Sequence, residues 1–258
     1  MATTFIGRKK EQEVLQKALQ SNEAEMVLVI GRRRIGKTFL IKNAYKDHTV
    51  FEVTGVKDRP EAEQLRNFTR ALNRIGKNLK AIPTPKNWLE AFFALADRLE
   101  ALAFPEKKVL FLDELPWLAA PQARFIGALS WFWNSWAVNQ NIVVVICGSS
   151  ASWMIQKIVN DTGGLHNRIT RRIFLKPFTL AETELYFKSR NINLNRYHIM
   201  QLYMAMGGIP HYLKEVEAGK SATQNIDAIC FSDTGILYNE FLNLFSSLFD
   251  DSQNHIAV

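Results

Sequence analysis

The residues best suited to chemistry stand together in Gly31-Arg32-Arg33-Arg34-Ile35-Gly36-Lys37-Thr38. Glycines at this spacing let the backbone curl so that successive N–H groups close around an anion, and the pattern G-x-x-x-x-G-K-[ST] is suited to a polyphosphate. Lys37 would reach the outer phosphates and the Thr38 hydroxyl would take a place on Mg²⁺, with Phe39 directly behind them. A helix opening at Lys37 would turn its positive dipole end toward the same anion.

A second group is Asp113-Glu114, at the end of the apolar run Val109-Leu110-Phe111-Leu112. Open α/β sheets meet their ligands at the carboxyl ends of their strands. Asp113 suits Mg²⁺, a cation that dehydrates reluctantly and takes few carboxylates; Glu114 suits a base that orients water for in-line attack on phosphorus. A third group, Gly148-Ser149-Ser150, follows Ile142-Val143-Val144-Val145-Ile146-Cys147. If that strand neighbours the Asp113 strand, Ser149 would contact the terminal phosphate or the attacking water. Alternatively, a serine here caps the next helix.

Strands alternating with helices must position these groups. The apolar runs predict strands at about 26–30, 49–54, 108–112, 142–147 and 171–175, with helices between them, including 60–76 and 87–103. This is the α/β pattern of a parallel five-stranded sheet covered on both faces, a three-layer fold built around a phosphate loop. From Phe178 the strands stop and helices are expected near 179–190, 195–206 and 209–218, with Thr179 and Glu182 as an N-terminal capping pair. The organisation expected is a core over 1–177, a helical lid domain over 178–238, and a C-terminal region beginning at 239 and truncated at 258. In that last region, Asn239 to Phe249 is apolar at helical spacing.

Composition sets bounds. Of 258 residues, 47% are hydrophobic and 22% charged, as in ordinary globular domains. No apolar run approaches the roughly 18 residues of a membrane span, and the first residues lack the layout of a secretory signal. Two cysteines without metal-ligand spacing point to a reducing, cytoplasmic setting and away from structural zinc. The net charge of +7 is uneven: basic side chains prevail in residues 1–80 and acidic ones in 220–258. A basic front half attracts nucleic acid, although three of its arginines lie in the phosphate loop. In Trp131-Phe132-Trp133-Asn134-Ser135-Trp136, helical spacing favours a packed face over a base-stacking platform.

Together these motifs resemble the archaeal-type ATPases of the AAA+/STAND superclass, relatives of the origin-recognition and Cdc6-type ATPases. The resemblance extends over nearly the whole chain. Phe5-Ile6-Gly7-Arg8 with Glu11 resembles the F-x-G-R-x-x-E box that packs beside adenine in that family. Gly208-Ile209-Pro210 resembles its G-x-P lid motif, whose proline contacts the base. Arg168 is the candidate for the arginine that meets the γ-phosphate, with Arg171 and Arg172 as rivals, although Asn167 stands where the family has glycine. The resemblance implies ATP rather than GTP, Mg²⁺, release of ADP, and an arginine finger supplied by the chain itself or by a neighbour in a homo-oligomer. Three functions follow from it: an ATPase coupling hydrolysis to conformational change, a slow nucleotide-gated switch, or a DNA-associated factor whose DNA-binding domain lies beyond residue 258.

Overall fold

Five apolar runs form five strands: β1 (Glu25–Ile30), β2 (Thr49–Thr54), β3 (Lys108–Asp113), β4 (Ile142–Gly148) and β5 (Arg171–Phe174). The computed structural model describes residues 6–76, 79–102, 106–119, 124–160, 163–238 and 240. Phe5 and the apolar 241–249 stretch lie outside them. Every strand pairing is parallel, and the order across the sheet is β2-β3-β4-β1-β5. β4 therefore lies between β1 and β3, beside the strand that ends in Asp113.

The twofold side-chain period of a strand sorts the apolar residues onto two faces. Met26, Leu28 and Ile30 share one face with Phe51, Val53, Leu110, Leu112, Val144 and Ile146. Helices α3 (Glu61–Leu72), α4 (Trp88–Glu100) and α6 (Arg124–Ser135) cover it. The opposite face, with Val27, Val29, Val109, Phe111 and Val145 all buried, meets α1 (Lys9–Gln20), against which α2 (Lys37–Ala44) packs. Tyr45 ties the last two together by donating to the Leu15 carbonyl at 2.9 Å.

The aromatic stretch belongs to the core. Phe132 and Trp133 are buried, Trp136 packs on Phe132 at 5.1 Å, and Trp131 lies edge-on against Phe93 at 4.3 Å. Deeper in, Phe68 meets Phe51, Trp88 and Phe92 in edge-to-face contacts of 4.9–5.6 Å.

At the amino-terminal edge of the sheet, Glu25 receives Arg171 at 2.7 Å and the Thr170 hydroxyl, locking β5 onto β1. Burial raises the Glu25 pKa, but hydrogen bonds from Arg171, Thr170 and Ser21, with the charge of Arg171, together hold the carboxyl below its ordinary value.

The chain divides into two compact units. One spans Lys9–Lys176; the other joins the segment ending at Arg8 to the chain from Pro177 onward. Of the described residues expected in the core over 1–177, Ile6 to Arg8 fall in the helical unit, where Arg8 meets Glu182 and Phe178. That unit contains α8 (Leu180–Ser189), α9 (Arg196–Met206), α10 (Pro210–Leu213) and α11 (Ala222–Ile226), packed around Phe178, Phe187, Leu202, Met206 and Leu213. The helix expected over 209–218 ends at Leu213.

Phe68→Ala should remove the hub of the aromatic cluster. Urea unfolding followed by circular dichroism is expected to show a loss of about 3–5 kcal/mol.

Candidate functional site

The phosphate loop leaves β1 at Ile30 and enters α2 at Lys37. Two glycines shape it for different reasons. A Cβ on Gly31 would stand 2.7 Å from the Leu175 carbonyl, just past the end of β5. Gly36 has φ +94°, with open space where a Cβ would be, so its requirement is conformational. Ile35 is buried and pins the loop from below, whereas Arg32, Arg33 and Arg34 are exposed. Arg33 lies 5.8 Å from the Trp117 ring, and Phe39, on the first turn of α2, is half exposed.

Lys37 is buried and folds back over the loop, donating to the carbonyls of Gly31 at 2.8 Å and Arg32 at 3.2 Å. Thr38 donates its hydroxyl to Asp113 Oδ2 at 2.8 Å. Beside Asp113, the Cys147 thiol is held well above its ordinary pKa, by burial first and then by that carboxylate, and stays protonated. Hydroxyl and carboxylate oxygens side by side, next to an open glycine loop, are the donor set a hard cation such as Mg²⁺ takes.

Glu114 follows immediately with φ +47°, a left-handed conformation uncommon for a residue with a side chain. Its carbonyl accepts from Trp117 N at 2.9 Å, opening α5 (Leu115–Ala119). Its carboxylate accepts from both the backbone N–H of Ser149 at 3.2 Å and the Ser149 hydroxyl at 2.8 Å. Ser150, not Ser149, occupies the cap position of α7 (Ala151–Met154). Sheet order thus brings together Lys37, Thr38, Asp113, Glu114 and Ser149 within the core unit.

Ile6, Arg8 and Pro210 belong to the helical unit, where Arg8 and the Gly208–Pro210 turn meet at Phe178. Arg8 is buried, with its guanidinium 4.6 Å from the centre of the Phe178 ring. The Phe178 backbone N–H donates to the Gly208 carbonyl at 2.6 Å, and a Cβ on Gly208 would collide with the Phe178 carbonyl. Pro210 opens α10 two residues later. Glu182 joins this group twice: it caps α8 with Thr179, and it accepts the Arg8 backbone N–H at 2.8 Å.

Arg168 stands apart. It is exposed and precedes β5, whose start pairs with Val27, so it sits at the sheet edge opposite the phosphate loop. Four residue steps separate Val27 from Gly31, roughly 13 Å at 3.3 Å each, and Arg168 lies farther back still. A role for Arg168 at the loop of its own chain is therefore not supported by this geometry. The rival Arg171 is engaged with Glu25.

The fold and the site define a P-loop nucleotide-binding α/β domain. Residues 5–216 match the family described as an ATPase domain predominantly from Archaea, and the chain belongs to that family. An uncharacterized protein of Methanocaldococcus jannaschii is 25% identical over 213 residues, which are 83% of this chain and 44% of that protein. An uncharacterized ATP-binding protein of the same organism is 47% identical over 38 residues, covering 15% of this chain and 64% of its own. This chain thus spans less than half of the first relative.

Among solved structures, a Walker-type ATPase of Pyrococcus abyssi has a TM-score of 0.66 at 17% identity, over 98% of this chain and 76% of its own. The ORC2 protein of Aeropyrum pernix, solved as ADPNP–ADP complexes, has 0.55 at 18% identity, over 93% and 66%. These likenesses concern the fold.

The Glu182 carboxyl is raised by burial, but hydrogen bonds from the Arg8 and Thr179 backbones and the Thr179 hydroxyl bring it below the ordinary glutamate value of 4.5. A pKa lowered by folding means that the stabilisation is complete above the ordinary value and is lost as pH falls through the folded one. Glu182→Gln should be about 1–2 kcal/mol less stable than the parent at neutral pH. The two should converge in urea unfolding carried out at successively lower pH.

Proposed function

We propose that this chain binds Mg²⁺·ATP at Gly31–Thr38 and hydrolyses it to ADP and phosphate. The observation that carries this reading is the 2.8 Å contact between Thr38 and Asp113, with Glu114 beside it held by Ser149. Thr38 and Asp113 would hold Mg²⁺, which when bound neutralises charge on the β- and γ-phosphate oxygens.

The chain's own residues carry the rest. The loop amides and the start of α2 surround the phosphates, and Lys37 turns from its two carbonyl partners to the β- and γ-oxygens. Glu114 accepts a hydrogen bond from water lined up behind the γ-phosphorus. A bond forms from that water oxygen to phosphorus, the bond to the β,γ-bridging oxygen breaks, and the proton leaves toward Glu114. Ser149 keeps the Glu114 carboxylate aimed, and its hydroxyl also suits contact with the γ-phosphate. Ile6, Arg8 and Pro210 are the candidates for contact with adenine that the family resemblance implies.

Arg168 supports a second element of the proposal. An exposed arginine at the sheet edge away from its own loop suits a finger offered to a neighbouring copy of the chain. Turnover per chain should then rise with protein concentration in the unsubstituted chain and stay flat in Arg168→Ala.

The decisive measurement is steady-state ATP hydrolysis beside affinity for a non-hydrolysable analogue. Glu114→Gln is expected to lower kcat by about 10²–10⁴-fold while retaining analogue affinity. Turnover equal in parent and variant would overturn the role of Glu114, and tight Mg²⁺·ATP binding without any turnover would make the chain a nucleotide-held switch.

A further inference from the structure

Gln64 is fully buried on α3, unusual for an amide three residues into an amphipathic helix. Both ends of its side chain are used. Its Oε1 accepts from Val56 N at 3.1 Å, and its Nε2 donates to the Val56 carbonyl at 2.6 Å and to the Trp117 carbonyl at 3.1 Å. The amide therefore joins the turn after β2 to the first turn of α5, the turn that Glu114 begins.

Two further contacts lie in the same place. The Gly55 N–H donates to the Asp113 carbonyl at 2.9 Å. A Cβ on Gly55 would come within 2.6 Å of the Glu114 carbonyl and 2.8 Å of Leu118 N. The Gly55–Val56 turn thus lies directly against the backbone of Glu114, and Gln64 fastens it there. Ser149 holds the Glu114 carboxylate from the β4 side; the Gly55–Val56 turn holds its main chain from the β2 side.

We propose that Gln64 is a positioning residue for Glu114: by tying Val56 to Trp117, it fixes the left-handed turn from which the Glu114 carboxylate meets its water. This rests on the ATPase reading above. A buried amide with three well-aligned bonds to two separate segments sets their relative position in a way an apolar side chain does not. Displacement of a reacting group by about 1 Å can cost roughly 100-fold in rate, so a loosened turn should be visible in turnover before it is visible in binding.

The test uses Gln64→Met, which keeps the length and removes all three bonds, and Gln64→Glu, which keeps acceptance from Val56 N and loses both donations. Either variant that folds, judged by circular dichroism, is expected to show kcat lowered about 10- to 100-fold with KM for ATP and analogue affinity within about twofold. In a Glu114→Gln background the same substitution should cause no further loss, because its effect passes through Glu114. Unchanged kcat in a folded variant, or a loss of equal size in the Glu114→Gln background, would overturn the proposal.

Hydrogen exchange of the amides of 55–56 and 114–118 provides a readout free of turnover. Exchange should quicken in both segments when Gln64 is replaced, and unchanged exchange would sink the proposal. If the unsubstituted chain hydrolyses no ATP, the ATPase reading falls, and exchange alone decides whether Gln64 holds the turn.

Discussion

The hydrogen bond between Thr38 and Asp113 joins the ends of two strands that do not touch. β4 runs between β1 and β3, so at about 4.8 Å per strand the loop must reach across roughly 10 Å of sheet. What makes this reach feasible is the small end of β4. Cys147 pairs with Val29 on one side, and its thiol serves Asp113 on the other. Gly148 has no room for a side chain, because a Cβ there would meet Met154 at 2.7 Å and Pro116 at 3.0 Å. The same insertion of β4 sends Ser149 directly to Glu114. Sheet order, more than any one motif, assembles the site.

Much of this was legible in the residues. The strands were readable because a fully buried parallel strand is a short apolar run, and residues 31–38, 113, 114 and 149 stand out because their types at strand ends suit phosphate chemistry. Alternation along Val109–Asp113 even carries the face: Asp113 points with Val109 and Phe111 toward α2, where Thr38 lies. Strand order was not legible, since apolar runs of similar length are interchangeable until packed. Nor was the partnership of Arg8 with Glu182, which lie 174 residues apart in sequence. Glu182 was readable as a cap for α8 and unreadable as the anchor of Arg8. Gln64 gave no signal at all, because a glutamine in the first turn of an amphipathic helix reads as solvated.

Glu114 illustrates how the core holds an unfavourable backbone. A left-handed conformation at a non-glycine residue costs about 1–2 kcal/mol. Here the carbonyl gains the first N–H groups of α5, the carboxylate gains two donors from Ser149, and Gly55 fills the space beneath it without a side chain. The conformation that results lets the Glu114 carboxylate meet Ser149 while the Asp113 carboxylate meets Thr38. Strain offset by neighbours that follow β2 and β4 and by α5 makes the direction of that carboxylate a property of the fold and not of the residue.

A parallel sheet has two unlike edges, and this limits what any residue can serve. Everything following a strand gathers at the carboxyl edge: the loop after β1, the acids at the end of β3, Ser149 after β4. Everything preceding a strand gathers at the other, where Glu25 opens β1 and Thr170, Arg171 and Arg168 lie around the start of β5. Charge at that second edge is spent on joining strands, as the Glu25–Arg171 pair does at 2.7 Å. Arg168 is beyond that pair and outside the reach of its own loop. Its usefulness to a phosphate therefore depends on a second molecule bringing a carboxyl edge to meet it, so that any such chemistry would be inseparable from assembly.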